Sequence, residues 1–116
     1  YGSPTGLGYD KLASKLVVQT GAVIMVPDYR LVPYGNYTTM LSTAAKALNW
    51  LANNGPDGCG PEHDVPLFVA GDSAGGGTAL SLALAINKNP RLLPGKRIAG
   101  CFFFSPWTNL KCNTPD

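Results

Sequence analysis

The fold is decided by residues 65–87, which read VPLFVAGDSAGGGTALSLALAIN. The apolar run 65–70 is typical of a short buried strand, since a proline near the start of a strand is tolerated. Residues 74–87 are apolar nearly all round and predict a helix buried on several sides. Between them, residues 71–75 form a G-x-S-x-G motif. A motif of this kind between a strand and a helix predicts a sharp turn that exposes a serine hydroxyl.

Two elements are predicted upstream of this stretch, near the start of the chain. Residues 9–20 carry apolar side chains at helical spacing and are followed by Gly21, so we expect an amphipathic helix that ends there. Residues 22–26, AVIMV, form a short continuous apolar run before Pro27. This pattern predicts a strand buried on both faces of a parallel sheet.

Apolar residues recur every three or four positions over 41–52, which predicts a second helix. Thr38 or Thr39 is the expected N-cap, and Gly55 the expected C-terminal stop. Residues 98–104, IAGCFFF, predict a third buried strand that is closed by Ser105-Pro106. Residues 54–64 lack periodicity and predict an exposed loop.

The order of these elements alternates helix and strand three times with short connections. Right-handed crossovers then require a parallel sheet with helices on both faces, so the predicted class is α/β. We expect residues 1–116 to form a single partial domain of this class.

Composition and charge exclude several classes of protein. Of the 116 residues, 45% are hydrophobic and 14% charged, with a net charge of +2, which is typical of a folded globular chain. The basic residues are scattered singly, so no nucleic-acid partner is predicted. The longest apolar helical segment is shorter than the roughly 20 residues that a membrane span needs. No transmembrane segment is therefore predicted, and the sequence leaves the oligomeric state open.

Cofactors and metals are not indicated by any motif. Neither G-x-G-x-x-G nor a P-loop motif is present, so no cofactor is predicted. Cys59, Cys101 and Cys112 are an odd number at irregular spacing, which favours reduced, structural thiols. Cys59 and His63 would be two metal ligands without partners, which make a poor site.

The chemistry that the motif predicts depends on Ser73, the candidate catalytic nucleophile. At the start of a helix, unpaired N–H groups favour developing negative charge, and the Ala74 N–H is the candidate oxyanion-hole donor. Asp72 lies inside the turn, where its side chain is expected to pack or hydrogen-bond locally rather than serve as a triad acid. Glycine-rich turns of this kind also bind phosphate or simply pack tightly. Small residues that allow close backbone approach stand at Gly71, Ala74, Gly75, Gly76 and Gly77.

Two boxes of sequence carry a family resemblance that covers essentially the whole chain. Residues 71–76, GDSAGG, and 28–33, DYRLVP, are similar to the serine box and the D-Y-R-L-A-P stretch of the hormone-sensitive-lipase family of esterases. Residues 105–107, SPW, resemble that family too. The resemblance implies an α/β-hydrolase fold, a nucleophile elbow at residues 71–76, and hydrolysis of small or medium carboxylic esters through an acyl-enzyme on Ser73. Asp28 and Arg30 are interpreted as a buried or half-buried cluster beside the site.

The remaining catalytic groups are expected outside these 116 residues. In this fold the triad order is serine, then acid, then histidine. His63 precedes Ser73 and is interpreted as a loop histidine, and Asp116 is too close to the last strand to be assigned. The resemblance places the oxyanion motif H-G-G-G just upstream of Tyr1. We therefore expect an internal fragment that folds poorly alone.

The sequence leaves two alternatives to an esterase open. The gibberellin receptors are similar to the resembled family but lack its catalytic histidine, so a ligand-binding receptor is the second hypothesis. A non-functional product of a truncated gene is the third. A histidine downstream of the later acid would distinguish the esterase from the receptor.

Overall fold

The computed structural model describes residues 8–30, 33–55, 65–109 and 111. The chain divides into two compact units, residues 1–64 and 65–116. Each unit holds its own helices.

The first helix of the chain, α1, spans Tyr9–Thr20, as predicted. It is bounded by two glycines in the left-handed conformation, Gly8 with φ 77° and Gly21 with φ 69°. The Gly21 N–H donates to the Val17 carbonyl at 2.9 Å and so satisfies one carbonyl of the last turn. The sequence signal for the end of this helix is therefore confirmed.

The second helix, α2, spans Tyr37–Asn54 and begins earlier than predicted. Its N-cap is Asn36, whose Oδ1 accepts from the Thr39 N–H at 2.9 Å. The Thr39 hydroxyl in turn accepts from the Asn36 N–H at 2.8 Å, which completes a reciprocal capping box. The predicted caps Thr38 and Thr39 were wrong, because Asn36 reaches the first-turn N–H groups and Thr39 serves as its partner. Gly55 follows the helix as expected.

Removal of this cap gives a direct test of the reassigned helix start. Asn36→Ala is expected to lower the free energy of unfolding by about 1 kcal/mol, because the Thr39 N–H loses its acceptor. Urea denaturation of the intact protein, meaning these 116 residues together with any others that the natural protein contains, measures the change. Ser42→Ala, an exposed position on the same helix, is the control and should change stability by less than about 0.5 kcal/mol. Equal stability of the two variants would contradict the assigned cap.

The predicted strand at residues 22–26 is wrong, since residues 21–30 are neither helix nor strand. The apolar side chains of this segment are substantially exposed, with Val23 52% and Val26 41% accessible. A strand exists only through hydrogen bonds to a neighbouring strand. Among the described residues no strand pairs with this segment. An apolar run indicates a need for burial, but it does not supply the partner.

The predicted burial of Asp28 and Arg30 is also wrong. Both side chains are exposed in the first unit. Burial of a charged pair requires packed elements around it, and the segment that carries these residues lies outside every helix and strand. The family resemblance identifies Asp28 and Arg30 in the sequence, but it does not predict whether other residues bury them.

The second unit is built on two parallel strands, β1 at Leu67–Asp72 and β2 at Ile98–Phe104. The strand β2 has the predicted bounds, but its predicted burial is wrong, since Phe102 is 53% and Phe104 62% exposed. The strand β1 starts after Pro66 and runs through Asp72, because proline has no N–H to donate to the ladder. In the register, Asp72 pairs with Phe104. The two strands therefore end side by side.

The helix α3, Ser73–Lys88, packs on both strands and forms the core of the unit with a stripe of small and branched residues. Leu93, which follows a 3-10 helix at Pro90–Leu92, is 1% exposed and closes the core. Leu84 on α3 is 54% exposed, so the prediction of burial on several sides is wrong for that face. No helix in the described parts of the chain is long and apolar enough to cross a membrane. The buried residues of the α3 stripe that forms the core are Gly76, Thr78, Ala79, Leu82 and Ile86.

The half-buried Cys101 on β2 is a free thiol, and burial raises its pKa above the ordinary value. Iodoacetamide attacks the thiolate, so alkylation of Cys101 at pH 8.5 is expected to be slower in the folded protein than in urea. A variant with Cys59→Ser and Cys112→Ser isolates this thiol. As pH rises, the Cys101 thiol of the unfolded chain loses its proton at a lower pH than the buried thiol of the folded protein does. The contribution of this group to the free energy of unfolding therefore falls above about pH 8.5. Equal alkylation rates with and without urea would contradict the burial.

Candidate active site

Ser73 stands at the junction between a strand and a helix. The residue before it, Asp72, has the extended conformation with φ −119° and ψ 151° and ends β1. Ser73 itself begins α3 and has a φ of 51°, in the left-handed region. The chain therefore turns sharply at this serine, as the G-x-S-x-G pattern predicted.

The conformation of Ser73 is strained, and its side chain is exposed. A non-glycine residue in the left-handed region costs roughly 1–3 kcal/mol and persists only where the surroundings fix it. Strain of this kind clusters at sites of catalysis and binding, where a side chain must be held in one direction. The turn thus presents a hydroxyl group to solvent in a fixed direction.

Gly71 is required by the close return of the chain on itself. A Cβ at this position would lie 2.4 Å from the Gly75 carbonyl oxygen and 2.8 Å from the Gly76 nitrogen. Both contacts are with backbone atoms, which cannot rotate away. The elbow closes as tightly as it does because residue 71 has no side chain.

The next glycines of the elbow differ in their surroundings. A Cβ at Gly76 would lie 3.0 Å from the Gly71 oxygen and 3.0 Å from Pro106, so this glycine permits close packing. A Cβ at Gly75 would meet no atom within 4 Å. The expectation that every small residue here allows close approach is therefore not met at Gly75.

A second segment, residues 105–107 after β2, contacts the elbow. The Trp107 N–H donates to the Ser73 carbonyl at 2.8 Å. Just beyond the elbow, a Cβ at Gly77 would lie 2.4 Å from the Trp107 oxygen. The sequence predicted that Ser105-Pro106 closes β2, by the restriction that a proline places on the residue before it, but it did not predict this contact with the elbow.

The electrostatics at the serine are those of a helix N-terminus. The first N–H groups of a helix have no intrahelical acceptor and carry partial positive charge, and the Ala74 N–H is one of them. The first turn of α3 contains no acidic residue. Asp72 occupies the N-cap position with an exposed side chain that does not cap the helix. The backbone around Ser73 can therefore favour a developing negative charge.

Several predicted residues lie outside the described part of the chain. These are Cys59, His63, Cys112 and Asp116. Within the described ranges, no group of three or more histidine, cysteine or acidic side chains is arranged to hold a metal ion.

The family model and the esterase relatives that match this chain agree on one family. A model for the alpha/beta hydrolase fold matches residues 2–116. LipR of Mycobacterium tuberculosis, a proposed acetyl-hydrolase, is 34% identical over 110 residues, which cover 95% of this chain and 32% of that protein. The versiconal hemiacetal acetate esterase of Dothistroma septosporum is 34% identical over 84 residues, 72% of this chain and 25% of that protein.

A receptor is also among the relatives. The gibberellin receptor GID1B of Arabidopsis thaliana is 33% identical over 86 residues, which cover 73% of this chain and 24% of the receptor. The chain thus spans about a third or less of each of these relatives. No solved structure is a significant match.

Proposed function

Because this chain belongs to the α/β-hydrolase family, we propose that it supplies the nucleophile of a carboxylic ester hydrolase, and that the nucleophile is Ser73. The observation that carries the proposal is the left-handed, exposed serine between β1 and α3. A serine that only packed or only bound phosphate through backbone N–H groups would not need to hold its own side chain in a strained position.

The first chemical step follows from the position of the hydroxyl. The Ser73 Oγ attacks the ester carbonyl carbon, and its proton passes to a general base. A tetrahedral oxyanion forms, and the alcohol leaves with a proton returned by that base. Within this chain the Ala74 N–H is the proposed donor to the oxyanion, since it lies in the first turn of α3. Water then attacks the acyl-serine and releases the acid, with Ser73 regaining its proton.

Short acyl groups are the proposed substrate class. Two relatives carry names that specify acetyl or acetate esters, LipR and the versiconal hemiacetal acetate esterase. Acetyl esters are therefore the first substrates to test.

A pre-steady-state experiment tests the acyl-enzyme. The intact protein is mixed with p-nitrophenyl acetate, and a burst of p-nitrophenol close to one equivalent per protein is expected when deacylation is slow. Acid quenching during turnover should leave an acetyl group on the peptide that contains Ser73. Acetyl found only on another residue would overturn the proposal.

A ligand-binding receptor is the second candidate, and its support is the similarity to GID1B. A receptor of this kind would bind a small molecule such as gibberellin without turning it over. A gibberellin-binding measurement beside the burst experiment separates the two: an intact protein that binds gibberellin and forms no acyl-serine favours the receptor.

A further inference from the structure

The ends of β1 and β2 carry a matched pair of strained serines. Among the described residues, Ser73 and Ser105 are the non-glycine residues with positive φ, at 51° and 43°. Asp72 pairs with Phe104 in the parallel register, so each of these serines is the first residue beyond its strand at the same level of the sheet. The second strained turn therefore lies directly beside the first.

The segment after β2 contacts the elbow through its backbone. The Trp107 N–H donates to the Ser73 carbonyl at 2.8 Å. Pro106 lies 3.0 Å from where a Cβ of Gly76 would stand, and the Trp107 oxygen lies 2.4 Å from where a Cβ of Gly77 would stand. Two glycines at the start of α3 thus let this segment approach as closely as backbone can.

The segment is also held internally. Pro106 has a fixed φ, which limits how the turn after Ser105 can relax. The Trp107 indole Nε1 donates to the Asn109 carbonyl at 2.9 Å, so the ring is tied to its own segment. The backbone N–H that reaches Ser73 is therefore presented by a stiff turn.

We propose that residues 105–107, the serine brace, are a positioning element for the nucleophile. The left-handed turn at Ser105 places the Trp107 N–H, and that N–H fixes the Ser73 carbonyl and with it the direction of the Ser73 hydroxyl. The role of Ser105 is conformational, and its own hydroxyl takes no part in the reaction. This inference depends on the proposed ester hydrolysis by Ser73.

Substitutions at Ser105 test the brace in the intact protein. A β-branched residue resists positive φ, whereas asparagine and glycine accept it. Ser105→Val is expected to lower kcat for p-nitrophenyl acetate by about 10- to 100-fold with KM unchanged, because small misplacement of a nucleophile is costly. Ser105→Asn and Ser105→Gly are expected to retain kcat. If Ser105→Val does not fold by circular dichroism, Ser105→Ala takes its place in the comparison.

A substitution on the helix side tests the same contact independently. Gly77→Ala must displace the Trp107 carbonyl, so it is expected to lower kcat in folded protein with KM unchanged. Gly100→Ala is the matched control, because its Cβ would meet only the ring of the exposed Phe68, at 3.1 Å, and that ring can move.

Two results overturn the brace. One is wild-type kcat in both folded Ser105→Val and folded Gly77→Ala. The other is equal loss in Ser105→Gly and Ser105→Val, which would show that the hydroxyl matters rather than the conformation. Retained hydrolysis in Ser73→Ala would instead overturn the proposed function itself, so the two failures are distinguishable.

Discussion

Ser73→Ala is expected to lower kcat for acetyl ester hydrolysis by about a million-fold, the scale seen when a triad serine is lost. The variant removes the hydroxyl oxygen that is proposed to form the acyl intermediate, and it changes no backbone atom. Residual rate above the uncatalysed reaction would come from oxyanion stabilisation and binding alone. Steady-state hydrolysis of p-nitrophenyl acetate by the intact protein measures the change.

The matched control is Ser81→Ala, which removes a hydroxyl from the same helix two turns away from the elbow. It should keep kcat and the thermal midpoint of the parent. Circular dichroism should show that both variants are folded. Hydrolysis by Ser73→Ala at the rate of Ser81→Ala would exclude residue 73 as the nucleophile.

Gly71→Ala is expected to have the largest effect on stability, a loss of about 3 kcal/mol in the free energy of unfolding. Overpacking costs roughly 1–3 kcal/mol, and the upper end applies because the new Cβ would meet the Gly75 carbonyl at 2.4 Å, where only backbone can yield. Opening the turn to accept the methyl group would also move Ser73. Urea denaturation of the intact protein gives the stability, and kcat gives the effect on the site.

Gly75→Ala is the stability control for this prediction. Its Cβ would meet no atom within 4 Å, and alanine is favoured over glycine in a helix by up to about 1 kcal/mol. We expect unchanged or raised stability. Equal destabilisation by Gly71→Ala and Gly75→Ala would show that the elbow does not close at Gly71 as described.

The elements that sequence predicted well are those whose signals are local. The helix at 9–20 was bounded by a glycine that adopts the left-handed conformation itself. The turn at Ser73 was likewise set by residues within a few positions of each other. Local chemistry decides such features, so no distant partner is needed to predict them.

The strand that sequence reasoning predicted wrongly depends on a partner that is not adjacent in the chain. Residues 22–26 were expected to form a strand, but pairing requires a neighbour that an apolar run cannot specify. The cap at Asn36 was missed for a local reason, because Asn36, Thr38 and Thr39 are all polar residues that could begin α2.

The candidate site divides in the same way. The motif predicted at which serine the backbone turns, because the spacing of its glycines indicates where backbone segments approach each other closely. It did not predict the contact between Trp107 and Ser73, since the two residues are brought together only by the register of β1 and β2. The left-handed conformation of Ser105 was not predicted either, because glycine is the usual sequence signal for a positive φ and residue 105 is a serine.

The most direct measurement is covalent labelling of the intact protein with a fluorophosphonate, followed by peptide mapping by mass spectrometry. A serine that an adjacent base activates reacts with such a probe, whereas ordinary hydroxyls do not. The account predicts one equivalent of label on Ser73, and none in the Ser73→Ala protein. Label on a different residue, or no label on a folded protein that hydrolyses acetyl esters, would contradict it.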